Sequence, residues 1–186
     1  SIIRTAQKEG VQITAEATPH HISLTDVEIK KFDTNYKMNP PLRSEEDRLA
    51  VIEGLRDGTI TVIATDHAPH TNTAKTVEFD YAPFGIIGLE TAVQICLTEL
   101  YHKQYLDLPA LISKFTKGPA DVLGMPIGTY IDTEVMSGCR QLLIETDMQI
   151  SRISERYGFC DQFYFSRRFK EKFGVTPQKY RKMNSL

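Results

Sequence analysis

The chain has 186 residues, 22 Lys and Arg against 24 Asp and Glu, and a composition 41% hydrophobic and 25% charged. That suits one large domain or two small ones with a real core, which excludes wholesale disorder; no apolar run approaches the roughly 18 residues of a membrane span. The formal charge of −2 conceals an asymmetry, because residues 1–128 carry 12 basic against 17 acidic groups while residues 129–186 carry 10 against 7. Two units with different partners are expected, the basic one facing a polyanion.

Ile2, Ile3 and Ala6 before Gly10 predict a short helix, and the alternation of residues 11–17 predicts a strand running into Thr18-Pro19-His20-His21. Asn39-Pro40-Pro41 forbids a helix. From Ser44 a capped helix with an acidic first turn is predicted, with apolar positions at 49, 51, 52 and 55. Asp57-Gly58 reads as a turn. Residues 59–65 (TITVIAT) form a β-branched run that predicts a strand buried on both faces. A polar loop over 66–84 and helices over 86–100 and 108–123, the first well buried, complete a strand–helix order of parallel β/α type. Residues 125–135 read as short and helix-poor. Beyond them a helix over 140–146, a short helix over 150–157, a break at Gly158 and an amphipathic helix over 161–173 outline a helix-turn-helix.

Cys96, Cys139 and Cys160 are odd in number and widely spaced, which points to a reducing, cytoplasmic compartment. The chain opens on Ser1 rather than Met, so a piece of a longer protein is expected. The chemically informative cluster is Thr65-Asp66-His67-Ala68-Pro69-His70, at the carboxyl end of the predicted buried strand. In parallel β/α folds the reacting groups sit there, and a carboxylate beside imidazoles can bind a metal or move a proton. Taken alone, those residues read first as a polar loop with hydrogen-bonded histidines.

Glu16-Ala17-Thr18-Pro19-His20-His21, Tyr36-Lys37-Met38-Asn39-Pro40-Pro41-Leu42-Arg43, the segment 63–70 and Ala82-Pro83-Phe84-Gly85 form an ordered series. Over about residues 1–130 this resembles the C-terminal part of a dihydroorotase of the amidohydrolase superfamily. The resemblance implies part of a zinc-dependent (β/α)8 barrel that reversibly cyclises N-carbamoyl-aspartate to dihydroorotate in pyrimidine biosynthesis. It makes Asp66 a metal ligand and the general acid/base, Asn39 a substrate contact and His70 a contact to the substrate carboxylate. Phe84 and Gly85 become backbone groups that hold the ring. It assigns no metal to His20 and His21, which are expected to orient their loop by hydrogen bonds, and leaves His67 open. Lys37 and Arg43 read either as substrate-facing cations or as structural ones. The family's other zinc ligands have no counterpart in this sequence, so the chain alone is expected to be inactive and to self-associate.

From Cys139 on, the pattern GFxDxxYFSRxFK followed by GVTPxxYR is similar to the second helix-turn-helix of an AraC-type transcription regulator. Phe165, Phe169 and Phe173 recur at i, i+4 and i+8 and should face a small core with Ile150, Ile153 and Phe159. Gln162, Ser166, Arg167 and Lys170 then face DNA, with Phe163 exposed and Asp161 as a helix cap. The expected layout is therefore α/β: a dihydroorotase-like partial barrel over 1–128, a junction over 129–138 and an all-α helix-turn-helix over 139–186. The alternative function is that of a sequence-specific DNA-binding regulator.

Overall fold

The computed structural model describes residues 2–184, which fall into two compact units, one up to Gly124 and one from Met125 on. In the first, α1 (Ile2–Lys8) buries no residue and is tied down by polar contacts. The Gln7 amide donates to the Thr59 carbonyl at 3.1 Å and the Arg4 Nε to Asp57 at 2.8 Å. Strand β1 (Glu16–Ala17) pairs in parallel with β2 (Val62–Ile63), Glu16 opposite Val62 and Ala17 opposite Ile63. Both strands are far shorter than the predicted 11–17 and 59–65. Val11 and Ile13 stay exposed, and their amides close local turns onto Ala6 and Val11 carbonyls instead of a ladder. Strand β2 has one pairing neighbour, and only Ile63 of its two residues is buried, so burial on both faces is not realised.

Helix α2 (Pro19–Ser23) follows β1 directly, capped by Thr18. A cis Asn39–Pro40 peptide interrupts the extended segment before α3 (Glu45–Arg56). Ser44 caps α3 by accepting from the Asp47 amide at 3.2 Å, and three acidic residues sit on its positive end. Ile52 and Leu55 of α3 join Ala17, Ile22, Ile63, Cys96, Leu100 and Leu111 in one core, whereas Leu49 faces solvent.

The loop after β2 holds one helical turn, α4 (Asn72–Lys75). The helix predicted over 86–100 starts later, as α5 (Ala92–Cys96), and continues as a π-helical turn over Leu97–His102. Its first residues are held elsewhere: the Ala68 amide donates to the Ile86 carbonyl, and His67 Nδ1 accepts from the Gly88 and Leu89 amides at 3.1 and 3.2 Å. Ile87 and Leu89 are therefore 70% and 62% exposed rather than buried. The predicted 108–123 helix is two, α6 (Leu108–Phe115) and α7 (Lys117–Leu123), broken at Thr116. Helix α7 packs backbone to backbone on the residue that leads into β2, for a Cβ on Gly118 would lie 2.1 Å from the Thr61 carbonyl oxygen.

The second unit opens with α8 (Ile127–Glu145), a continuous helix of 19 residues. The helix-poor reading of 125–135 is corrected, and the junction expected over 129–138 falls inside this helix. Gly128 and the β-branched Thr129, Ile131, Thr133 and Val135 lower local helix propensity, but packing overrides it. Met136, Cys139 and Leu143 are buried, and Asp132 accepts from Arg168 at 2.8 Å and from Lys172 at 3.0 Å. Helices α9 (Ile150–Arg156), α10 (Gln162–Phe173) and α11 (Pro177–Asn184) complete the unit. Gly158 and Gly174 adopt positive φ of 73° and 78° at the ends of α9 and α10, as their missing side chains permit. The rings of Phe165, Phe169 and Phe173 stack in sequence, with Phe159 and Tyr180 against them.

Candidate functional site

Asp66 lies three residues past Ile63 of β2, in the left-handed region at φ 47°, a conformation that short polar side chains tolerate best. Its exposed carboxylate and Asn39 line one cavity of about 440 Å³, together with Glu16, Thr18, His21 and Arg43. His21 ties two walls of that cavity together. Its Nε2 reaches the Pro40 carbonyl at 2.9 Å and its Nδ1 the Thr18 hydroxyl at 2.6 Å. A carbonyl only accepts, so Nε2 carries the proton and the Thr18 hydroxyl donates to Nδ1. The loop-orienting role expected of His21 is what the structure contains.

His20 behaves differently. It is 4% exposed, and its Nε2 has no hydrogen-bond partner, so it does not hold the loop through that atom. Burial and the neighbouring His21 push its pKa down to about 4, against the opposing pull of the Asp66 carboxylate. His20 is not among the residues that line the cavity of Asp66 and Asn39. His20 lies three residues past Ala17 as Asp66 lies three past Ile63, and Ala17 and Ile63 are register partners. Catalytic zinc takes about three protein ligands. Among the described residues no three His, Cys, Asp or Glu side chains are grouped to hold a metal, so they do not fit a catalytic zinc.

The other predicted substrate residues assemble beside one another, but their polar groups are bonded within the protein. His70 Nε2 lies 2.8 Å from the Phe84 carbonyl, and the Gly85 amide donates to the Lys37 carbonyl at 3.0 Å. Two backbone groups expected to hold a ring are thus already engaged. Gly85 is at φ 143°, and a Cβ there would lie 2.6 Å from the Ala68 carbonyl oxygen, so this crossing requires glycine. None of His70, Phe84 and Gly85 lines the cavity of Asp66 and Asn39.

In the second unit, α10 buries Phe165 and Phe169 and turns the opposite face outward. Gln162, Arg167 and Lys170 are exposed, Ser166 is half-buried, and Phe163 is 85% exposed. Asp161 caps the helix by accepting from the Tyr164 amide at 2.7 Å, which holds its carboxyl below the usual carboxylate range. The Arg167 guanidinium lies 5.5 Å from the Tyr164 ring centre, and among the described residues no ion pair withdraws it, whereas Arg168 is bound to Asp132. The free cations of α10 therefore share a stripe with Gln162 and Ser166.

Comparison with known proteins finds two kinds of relative. The chain is 53% identical over 128 residues to a dihydroorotase of Bacillus subtilis, covering 69% of this chain and 30% of that protein. It is 56% identical over 128 residues to the dihydroorotase of Pelotomaculum thermopropionicum, with the same two shares. With that of Desulforapulum autotrophicum it shares 54% identity over 154 residues, 81% of this chain and 36% of the relative. The chain spans about 30% of the length of the first of these relatives. Among solved structures, the L-hydantoinase (dihydropyrimidinase) of Arthrobacter aurescens superposes with a TM-score of 0.62 at 29% identity, over 66% of this chain and 28% of that one. The D-hydantoinase (dihydropyrimidinase) of a Thermus species does so with a TM-score of 0.61 at 25% identity, over 64% and 28%. A helix-turn-helix domain family matches residues 112–183. Among the described residues no helix is long and apolar enough to cross a membrane.

Proposed function

We propose that the N-terminal unit is part of a dihydroorotase-type amidohydrolase, a partial (β/α)8 barrel of a cytoplasmic enzyme of pyrimidine biosynthesis. The observation that carries this reading is the meeting of Asp66, from the end of β2, with Asn39 across one cavity that Arg43 also lines. Ring opening of dihydroorotate adds water across a C–N bond, and a carboxylate at a strand end can take the water proton and pass it to the leaving nitrogen. Asp66 has that role, Asn39 hydrogen-bonds the substrate and Arg43 faces a carboxylate. His70, Phe84 and Gly85 lie outside the lining of that cavity and support it through the Lys37 carbonyl, which accepts from the Gly85 amide. Because no three metal donors are grouped among the described residues where catalytic zinc takes about three, the chain binds N-carbamoyl-aspartate or dihydroorotate without turning it over. Titration of the full chain with dihydroorotate, followed by amide NMR and by ring-opening assays with and without zinc, tests this. Shifts at Asn39, Arg43 and Asp66 with no turnover are expected. Stoichiometric zinc with turnover that Asp66→Ala abolishes would overturn the incomplete site, and a spectrum untouched by dihydroorotate would overturn the reading itself.

The exposed stripe of α10, together with the helix-turn-helix match, favours a second reading for the C-terminal unit: DNA binding of AraC type. Gln162 and Ser166 face base edges, Arg167 a guanine or a phosphate, and Lys170 a phosphate. One such unit supplies mainly the electrostatic contribution, with dissociation constants of about 10⁻⁴–10⁻⁶ M at physiological salt. Binding to duplex DNA that is unaffected by salt would exclude it.

A further inference from the structure

Two lysines of the N-terminal unit are drawn away from solvent, and both end on backbone carbonyls. Lys37 is buried, and its ammonium donates to the Phe79 carbonyl at 2.7 Å and the Asp80 carbonyl at 3.0 Å. The same ammonium lies 4.7 Å from the ring centre of Phe84. Lys75 donates to the carbonyls of Thr34 at 2.9 Å, Lys37 at 3.2 Å and Pro83 at 2.9 Å. Its own carbonyl accepts from the Thr34 hydroxyl. Burial and the neighbouring Lys37 pull Lys75 below the ordinary lysine range. Withdrawing an ammonium from water is costly unless its hydrogens are satisfied, and here five carbonyls satisfy two of them.

The identity of those carbonyls gives the pair its meaning. Thr34 and Lys37 belong to the stretch that leads into Asn39. Phe79, Asp80 and Pro83 belong to the stretch that leads into Phe84 and Gly85. Neither stretch has a strand partner, so the usual ladder is not there to hold them. The Gly85 amide closes the junction on the Lys37 carbonyl, and His70 is anchored on the Phe84 carbonyl.

We propose that Lys37 and Lys75 are positioning residues that staple the 79–85 segment to the 34–39 segment. They thereby hold Phe84 and the His70 bonded to it in a fixed arrangement with the segment that leads into Asn39, beside the cavity that Asn39 lines. This inference rests on the amidohydrolase reading above.

The test uses the full chain with Lys37→Met, Lys75→Met and Lys37→Ala. Amide hydrogen exchange is read over 79–85 and, as an internal control, in α3 and α6, and dihydroorotate affinity is measured alongside. Loss of a charged donor is expected to speed exchange over 79–85 about tenfold or more and to weaken dihydroorotate binding about tenfold, with α3 and α6 unchanged. In Lys37→Ala, added ethylammonium is expected to restore both, while tetramethylammonium, which has no N–H, restores neither. Lys75→Met is read separately, so a Lys37 variant that loses α3 protection does not decide the outcome. Unchanged exchange over 79–85 in that variant would overturn the staple. A loosened segment with unchanged affinity would overturn the positioning role and leave the amidohydrolase reading standing. No dihydroorotate binding by the unaltered chain would overturn that reading and the site role together.

Discussion

In the C-terminal unit, α10 is fixed by residues within a few positions of its own ends, Asp161 at its start and Gly174 just past its finish. In the N-terminal unit, β1 and β2 exist only because Glu16 meets Val62 and Ala17 meets Ile63, far apart in the chain. One part is built on local rules and the other on non-local pairing. The difference has a direct consequence for where damage should be largest. A unit with a single small core and short connections loses most when its central ring is removed. Phe169 is fully buried and touches the rings of Phe165, Phe173 and Tyr180. Phe169→Ala is expected to destabilise the C-terminal unit by about 3–5 kcal/mol, enough to unfold most of it. Calorimetry or denaturant melts should show its transition lost while that of the N-terminal unit remains. A single transition shifted as a whole would show that the two parts do not unfold independently.

The same comparison explains what was legible in the sequence. Caps at Ser44 and Asp161, the turn at Gly58 and the aromatic spacing of α10 are local signals, and each lies where the residues place it. The strands over 11–17 and 59–65 shrank because a β-branched run states a preference but cannot name its partner. The helix expected from Ile86 was pre-empted by His67, whose Nδ1 takes the amides of Gly88 and Leu89. That competition spans a loop and leaves no periodic trace. Residues 125–135 failed in the opposite sense: poor helix formers became helical because Asp132 found Arg168 and Lys172 on α10. At the site, Asp66 and Asn39 were legible from motif order and do share a cavity. The burial of His20 and its unpaired Nε2 were not legible, because they are properties of packing.

The second-largest effect is expected where non-local contact is tightest. Gly118→Ala places a methyl group against the Thr61 carbonyl, backbone on backbone, with no flexible side chain to give way. A loss of about 1–3 kcal/mol from the N-terminal unit is expected, with the C-terminal transition unmoved. An unchanged melt would mean that α7 is free to shift off Thr61, and that the non-local half of the comparison is looser than described. Asp161→Ala probes the local half more gently. Removing that cap should lower the melting temperature of the C-terminal unit modestly, and Asp161→Asn should restore most of the loss because the amide oxygen can still accept from the Tyr164 amide.

The smallest effect tests whether the N-terminal unit has local anchoring of its own. Asp57 ends α3, and hydrogen bonds from Thr59, with the Arg4 guanidinium beside it, hold its carboxyl down to about 2. A depressed carboxyl means that the unfolded chain binds the proton first as pH falls. The stability it contributes is therefore complete above the ordinary value of 3.8 and is lost as pH drops from there towards about 2. Because the group is partly exposed, solvent screening limits its worth to at most about 1 kcal/mol. Unfolding of the full chain followed from pH 6 to pH 2 should show the N-terminal unit losing stability more steeply than Asp57→Asn, the two curves converging near pH 2. Parallel curves across that range would mean that the turn between α3 and β2 is held by Gly58 and the backbone alone.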